Sequence, residues 1–274
     1  AATLFELVKS LKVKRLGFDE RHTSVACLRK LKTFCPRRTK LIPANGVVEI
    51  LREIKEEKEI SLIREALEVH GRALEMLKKV VKPGISEAKV LAYLEGFIKK
   101  EGVGFSFSPI IASDPNSAYP HAKVTDRILR NNEPVLIDIG IDIKGYKSDL
   151  TRNFFLGRMS PSYKQVLVAT RLAQQEAIKL IKPSAKVADI DAHARKVLKR
   201  FGLAKYFGHS LGHGVGLEIH ENPRLSVKSQ AVLEPGMVVT VEPGVYLPGK
   251  FGVRVEDMVL VTKEGCEVLS GNYY

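Results

Sequence analysis

Tryptophan is absent from this chain, and in 274 residues there are only three cysteines and four methionines. Cys27, Cys35 and Cys266 form neither a CxxC pair nor an even set. That excludes a disulfide framework and points to a reducing, cytoplasmic compartment. No apolar run approaches the roughly 20 residues of a membrane-spanning helix and no signal peptide is visible, so no membrane partner is expected. The chain opens AATLFELV, without methionine. Residues 1 to about 50 read as helix at Thr3–Lys9, strand at Lys14–Phe18, helix near Ser24–Lys32 and strand around Lys40–Pro43. Two strands are too few to close a sheet with its own core. The expectation is a partial α/β domain over 1–51, with further residues ahead of Ala1, and association into a homodimer through its open edge.

Hydrophobic residues make up 45% and charged residues 27%, as in an ordinary globular protein. The net charge of +13 would suit nucleic acid if it were concentrated. It is not: lysine and arginine are interleaved with glutamate, as in LREIKEEKEISLIREALE (Leu51–Glu68), which reads as solvated helix faces and no nucleic-acid partner.

One unit is written twice, between about residues 56 and 157 and again between about 160 and 262. LKKVVKPGISEAKVLAYLEGFIKKEGVG (Leu77–Gly104) resembles IKLIKPSAKVADIDAHARKVLKRFGLA (Ile178–Ala204), with Pro83 matching Pro183. In each copy an amphipathic helix ends at Lys-Pro and a second helix follows. Ile60, Ile63, Leu67, Leu74 and Leu77 form the apolar stripe of the first. Ser160 with Pro161 is an N-cap pair for its counterpart. Ser86 and Asp189 lie near the starts of the second helices, and Gly102 and Gly202 just past their ends. Each half then runs into strand, glycine-containing turn and strand, at Pro134–Gly157 and Met237–Val261. A duplicated α+β fold follows, with outer helices, a curved antiparallel sheet within and a cleft where the two hairpins face each other.

Each hairpin carries two acids, Asp138 and Asp149 in the first, Glu242 and Glu256 in the second. Along Ile137–Ile143, alternation places Asp138, Gly140 and Asp142 on one face and the isoleucines on the other. A single such acid reads as an edge charge or turn cap; four in matching places of a duplicated unit read as a site. Four converging carboxylates repel one another unless cations neutralise them, and two divalent ions balance the charge. GHSLGHGVGLEIHENP (Gly208–Pro223) supplies His209, His213 and His220 among four glycines. Each glycine costs a helix about 1 kcal/mol, so this is a loop and strand, not a metal-binding helix. One of its histidines is a ligand candidate. Oxygen ligands with one nitrogen suit Mn2+, Co2+ or Fe2+, with Zn2+ a further candidate.

DIGIDIKGYKSDLTR, GHSLGHGVGLEIHENP, TVEPGVY and GVRVEDMVLV, in that order, resemble the motifs of the pita-bread metallopeptidases, and among them the Xaa-Pro aminopeptidase and prolidase (Xaa-Pro dipeptidase) branch. The resemblance runs from about residue 52 to the C-terminus, so 52–274 is expected to be the catalytic domain and 1–51 part of a creatinase-like N-terminal domain. It implies that Asp138, Asp149, His213, Glu242 and Glu256 hold two divalent ions, Mn2+ or Co2+ foremost, with Asp149 and Glu256 bridging. It implies that His121 and His220 stand beside the substrate and that His209, Arg254, Tyr146 and Tyr246 line the pocket. Asp142 has no metal role in the motif, and Asp114 stands where relatives often carry glycine. His70 and His193, inside helical patterns, read as structural or exposed.

The implied chemistry is hydrolysis of the bond between an N-terminal residue and a following proline in di- or oligopeptides. Two metals hold a water and lower its pKa, Glu242 takes up the proton, and His220 or His121 bonds the oxyanion. Two alternatives stand beside it: a methionine aminopeptidase, which needs no N-terminal domain, and a catalytically silent binding module of the same fold. The sequence leaves dipeptidase and aminopeptidase undivided.

Overall fold

A computed structural model describes residues 2–271 and 273. The chain divides into two compact units, residues 1–51 and 52–274. In the first, α1 (Ala2–Ser10) is followed by β1 (Arg15–Phe18), α2 (Val25–Phe34) and β2 (Lys40–Pro43), and then α3 (Val47–Glu53) begins. β1 and β2 pair in parallel, Arg15 opposite Lys40 through Phe18 opposite Pro43. Ser24 caps α2, its hydroxyl accepting from the Cys27 amide.

The second unit begins with α4 (Glu57–Val80) and α5 (Glu87–Glu101), then β3 (Gly104–Phe105), β4 (Ile110–Ser113), β5 (Glu133–Ile139), β6 (Ile141–Ile143), β7 (Tyr146–Lys147) and β8 (Leu150–Leu156). The pattern restarts with α6 (Pro161–Ile178) and α7 (Val187–Arg200), then β9 (Gly212–Gly214), β10 (Glu221–Leu225), β11 (Val238–Val241), β12 (Gly244–Leu247), β13 (Phe251–Arg254), β14 (Asp257–Val261) and β15 (Cys266–Val268). Local signals set the helix ends. The hydroxyls of Ser86 and Ser160 accept from the amides of Lys89 and Tyr163, and Gly102 closes α5 in the left-handed region at φ 70°. The start of α7 differs: Lys186 precedes it, and Asp189 sits inside its first turn.

The duplication extends to individual hydrogen bonds. The Gly84 amide donates to Leu129 O at 2.9 Å, and its counterpart, the Ser184 amide, to Leu233 O at 2.8 Å. Glu87 N–H meets Arg127 O at 3.0 Å, and Val187 N–H meets Ala231 O at 3.2 Å. Each half has its own apolar core between its helices and strands, and a third group joins them: Ile60, Ile63 and Leu67 of α4, Leu150, Val215, and Val238, Met258 and Leu260 of β11 and β14.

The hairpins are more subdivided than alternation suggests. The strand expected over Ile137–Ile143 breaks at Gly140: β5 belongs to the sheet β4-β5-β8, while β6 belongs to β3-β6-β7. The cause is tertiary. A Cβ on Gly140 would lie 2.5 Å from Ser148 O and 2.8 Å from the Ser106 side chain, so only glycine admits this crossing. Asp142 therefore leaves the face it was expected to share with Asp138; it accepts from the Gly145 amide and pairs with Lys147. In the second half, β11 pairs with β14 and the intervening residues form a separate ladder, β12 with β13. The sheet within is thus several antiparallel pieces.

Candidate metal centre

Each half contributes two acids, all at or near strand ends. Asp138 is the penultimate residue of β5 and Asp149 directly precedes β8; Glu242 directly follows β11 and Glu256 directly precedes β14. Their neighbours Ile137, Ile139, Leu150, Val241 and Val255 are buried and anchor the backbone. Asp138, Asp149 and Glu256 are 8%, 5% and 2% exposed. His213 arrives on β9. Cβ atoms on its neighbours Gly212 and Gly214 would collide with the backbone of Thr240 and Asn222, so the glycines let β9 lie against both adjoining strands.

Nε2 of His213 lies 3.3 Å from Glu242 Oε1 and 3.6 Å from Asp149 Oδ2. Asp149, His213 and Glu256 each offer an atom, and the three atoms lie within 4.8 Å of one another. Nδ1 of His213 faces the Gly214 carbonyl at 3.1 Å. A carbonyl only accepts, so Nδ1 carries a proton and Nε2 is the nitrogen turned to the acids: protonated, it donates to Glu242; deprotonated, it can offer its lone pair to a cation. Around these residues, Thr151 Oγ1 donates to Glu256 Oε2 at 2.7 Å, and Thr240 Oγ1 accepts the His213 amide at 3.1 Å and reaches Glu242 Oε1 at 3.3 Å.

Arg254 ties the acids to a row of polar groups. It donates to Asp138 Oδ2 at 2.6 Å, Thr151 Oγ1 at 2.8 Å, Pro120 O at 3.2 Å and the Tyr246 hydroxyl at 2.7 Å. His209 Nδ1 is committed to Ser210 O at 2.8 Å, so its Nε2 accepts from the Tyr246 hydroxyl at 3.0 Å. The hydrogen bonds linking Arg254, Tyr246 and His209 thereby run in one direction, from the guanidinium to the phenol and from the phenol to the imidazole. Burial pushes the Tyr246 phenol up to about 12 and the His209 ring below its ordinary value.

Burial, then the charges of Glu256, Asp138 and Glu242, push Asp149 well above the ordinary carboxylate range. Glu256 is driven up in the same way by burial and by Glu242 and Asp138. Asp138 is raised by burial, with Arg254 working against the shift. Glu242 behaves oppositely: burial would raise it, but the bonded His213 imidazole holds it below its ordinary value, and Glu242 in turn raises His213 against its own burial. One guanidinium and one imidazole do not balance four carboxylates, of which Asp138, Asp149 and Glu256 are buried and Glu242 partly so. Oδ1 of Asp138, buried, has no hydrogen-bond partner among the described residues. An oxygen-rich set with one imidazole nitrogen, an orphaned oxygen and carboxylates short of positive charge fits hard divalent cations.

The other residues singled out from the sequence divide. His220 is exposed, with its ring edge-on to His213 at 4.3 Å between centroids. His121 is exposed on the segment after the short turn Asp114–Ala118, and its charge acts on both His209 and His220. Tyr146 is not joined to the Arg254–Tyr246–His209 row: its hydroxyl donates to Glu59 at 2.6 Å, with Glu221 and Arg52 nearby. Asp114 stands at φ 43° and pairs with Arg127 at 3.6 Å. His70 is fully buried with Nδ1 3.2 Å from Ser148 Oγ, and burial lowers its pKa to about 3. His193 lies 4.0 Å from Glu176. Sequence reading passed over Thr151 and Thr240, although a signal existed: each stands two residues from an acid, Asp149 and Glu242, and so on the same side of an extended chain.

The duplicated fold and its carboxylate-rich cluster fit a metal-dependent enzyme. The chain belongs to metallopeptidase family M24, which matches residues 61–263, and residues 1–54 match the creatinase/prolidase N-terminal domain, as in the prolidase branch. An uncharacterized peptidase of Bacillus subtilis (strain 168), YqhT, is 38% identical over 264 residues, 96% of this chain and 74% of that protein. Among solved structures, an Xaa-Pro dipeptidase from Bacillus anthracis superposes with a TM-score of 0.95 at 39% identity, over 98% of this chain and 76% of that one. An X-Pro aminopeptidase from Thermotoga maritima MSB8 gives 0.92 at 35% identity, over 98% and 76%. The chain spans 64% of the length of the related Staphylococcus aureus (strain USA300) peptidase. Among the described residues no helix is long and apolar enough to cross a membrane.

Proposed function

We propose that the protein hydrolyses the peptide bond between an N-terminal residue and a following proline, and that Asp138, Asp149, His213, Glu242 and Glu256 would hold two divalent cations. The observation that carries this reading is the buried carboxylate cluster, whose Asp138 Oδ1 lacks a partner and whose His213 turns Nε2 toward the acids. When bound, two cations would supply Lewis acidity, lowering the pKa of the attacking water and polarising the scissile carbonyl. An oxygen-dominated set favours Mn2+ or Co2+.

The chain's own groups do the rest. Glu242, held below the ordinary carboxylate range, is ionised at neutral pH and accepts the proton of the attacking water. Proline leaves as a secondary amine, so that proton must be delivered to its nitrogen, and Glu242 passes it on. His220, its ring against His213, and His121, both exposed, donate to the developing oxyanion. Arg254 and Tyr246, fixed by buried hydrogen bonds, keep Asp138 and His209 in place while substrate enters. The neighbours named as Xaa-Pro dipeptidase and X-Pro aminopeptidase support this substrate class and leave substrate length open. A cytoplasmic homodimer belongs to the same reading; the three free cysteines suit a reducing compartment.

Product analysis on Xaa-Pro dipeptides, longer Xaa-Pro peptides and Met-Ala peptides, with Mn2+ and Co2+ each supplied, tests the proposal. Cleavage confined to bonds preceding proline is expected. Preference for Met-Ala peptides, or no cleavage by protein carrying two cations, would overturn it.

A further inference from the structure

His220 closes a short loop, Val215–His220, between β9 and β10. Leu217 and Glu218 in that loop are exposed, and the two strands meet only at Glu221 opposite Gly214 and Leu225 opposite Gly212, with a register shift between. Such a ladder is too irregular to fix an imidazole at its end. What fixes it comes from the next residue. Glu221, the first residue of β10, buries its carboxylate among cations.

Oε2 of Glu221 accepts from Lys55 Nζ at 3.1 Å, and Oε1 accepts from Arg52 and, at 3.0 Å, from the amide of Glu218 in the same loop. The Lys55 and Glu221 side chains are 1% and 5% exposed. Arg52 also reaches Glu218 at 3.4 Å, so two cations face two carboxylates. Gly216 lies directly on the pair: a Cβ there would stand 2.6 Å from Glu221 Oε2 and 2.9 Å from Lys55 Cε. The cations are not free to drift. Lys55 N–H donates to Gly236 O at 2.9 Å, and Ile54 bridges Met237, at the entrance to the strand β11 that leads to Thr240 and Glu242. Burial alone would raise the Glu221 carboxyl; Lys55, with the bonds from Glu218 and Arg52, holds it below its ordinary value instead.

We infer that Glu221, clamped by Arg52 and Lys55, is a positioning residue that sets the His220 loop against the strand bearing the metal-centre acids. The inference rests on the proposed role of His220 at the oxyanion. Both Glu221 oxygens are taken up by Arg52, Lys55 and the Glu218 amide, so it acts on the reaction only through the loop. Because orientation within a fraction of an ångström governs such a contact, release of the clamp lowers turnover while the cation ligands stay in place.

The test uses the full chain and the variants Glu221→Gln, Arg52→Met and His220→Ala, singly and combined. Hydrogen exchange by mass spectrometry over residues 214–221 should quicken in Glu221→Gln and, less, in Arg52→Met, with α5 unchanged. Metal content should equal that of the parent. On an Xaa-Pro dipeptide, kcat should fall about 10–100-fold in Glu221→Gln with KM nearly constant, and Glu221→Gln should add no further loss in a His220→Ala background. Unchanged exchange over 214–221 overturns the clamp whatever the enzyme cleaves. An undiminished additional loss in the His220→Ala background overturns action through His220. If Glu221→Gln does not fold, Arg52→Met, which keeps the Lys55 pair, decides by the same readouts. A parent chain without Xaa-Pro activity sinks the proposed function, and the exchange arm then judges the clamp alone.

Discussion

Asp138 divides its carboxylate: one oxygen takes the Arg254 guanidinium at 2.6 Å, and the other is buried without a partner. The same division recurs at Glu256, where Thr151 satisfies Oε2. Each acid is oriented by one bond and keeps an oxygen for a cation, as a ligand held by its neighbours should. Asp149 differs, standing among Glu256, Asp138 and Glu242, whose charges all push it upward. Asp149→Asn removes the most contested charge, so it should lower metal content below two per chain and abolish hydrolysis. Elemental analysis and an Xaa-Pro assay on folded protein check this, and full activity would sink the two-cation reading. The two neighbouring imidazoles should separate by role. His213→Ala should lose metal, because Nε2 faces the acids. His220→Ala should keep metal and lose mainly kcat, since its ring touches His213 and not the acids themselves. Equal metal loss in both variants would show the assignment to be wrong.

Among the elements, α5 carries a feature with no counterpart in sequence patterns. Glu87, its first residue, is fully buried and accepts five hydrogen bonds: from the amide and hydroxyl of Ser113 at 2.7 Å each, Asn116 Nδ2 at 2.9 Å, the Thr125 amide at 3.0 Å and the Thr125 hydroxyl at 2.7 Å. It therefore holds both ends of the segment that carries His121. In Glu87→Gln either amide orientation points an NH2 at a backbone N–H, of Ser113 or Thr125, which cannot turn away. The expected cost is about 3 kcal/mol in urea unfolding, with faster hydrogen exchange over residues 113–125. A cost below about 1 kcal/mol would mean that the carboxylate charge is dispensable there. Helix ends were legible because capping is local: Ser86, Ser160 with Pro161, and Gly102 act within one turn. The strand break at Gly140 was not, because Ser106 and Ser148, remote in sequence, impose it. The acids of the site could be found because duplication repeats them. Glu87, Glu221 and the direction of Tyr146 could not, since a buried ion or hydroxyl looks in sequence like any solvated one.

For the whole molecule, each half brings two carboxylates to the cleft, and their repulsion acts across the junction that Ile60, Ile63, Leu67, Leu150, Val215, Val238, Met258 and Leu260 hold together. Cations at the centre should therefore stabilise the entire second unit, and the effect should depend on pH with a definite sign. Asp138, Asp149 and Glu256 have folded pKa values raised above the unfolded values of about 4. Without metal, the native state then binds more protons than the unfolded chain. Its contribution is full below about pH 4 and is lost as pH rises through the raised values. His213, also raised, adds in the same direction above its ordinary pKa of about 6.5. His70, lowered to about 3, works oppositely, favouring the native state as pH rises toward about 6.5. Glu242 and Glu221, both lowered, contribute above about pH 4.5 and lose that only in more acid solution. His70 and Glu221 lie outside the ligand set, so their effects cancel between metal-free and metal-loaded protein. What remains is competition between protons and cations for the same oxygens and for Nε2 of His213. The rise in Tm on adding Mn2+ to chelator-treated protein should thus grow steadily from pH 5 to pH 8, the carboxylates being freed for the cation as their protons leave. Thermal unfolding at four pH values with and without Mn2+ measures it. A Mn2+ effect that is flat across this range, or larger at pH 5 than at pH 8, would show that the raised carboxylates are not what the cation binds.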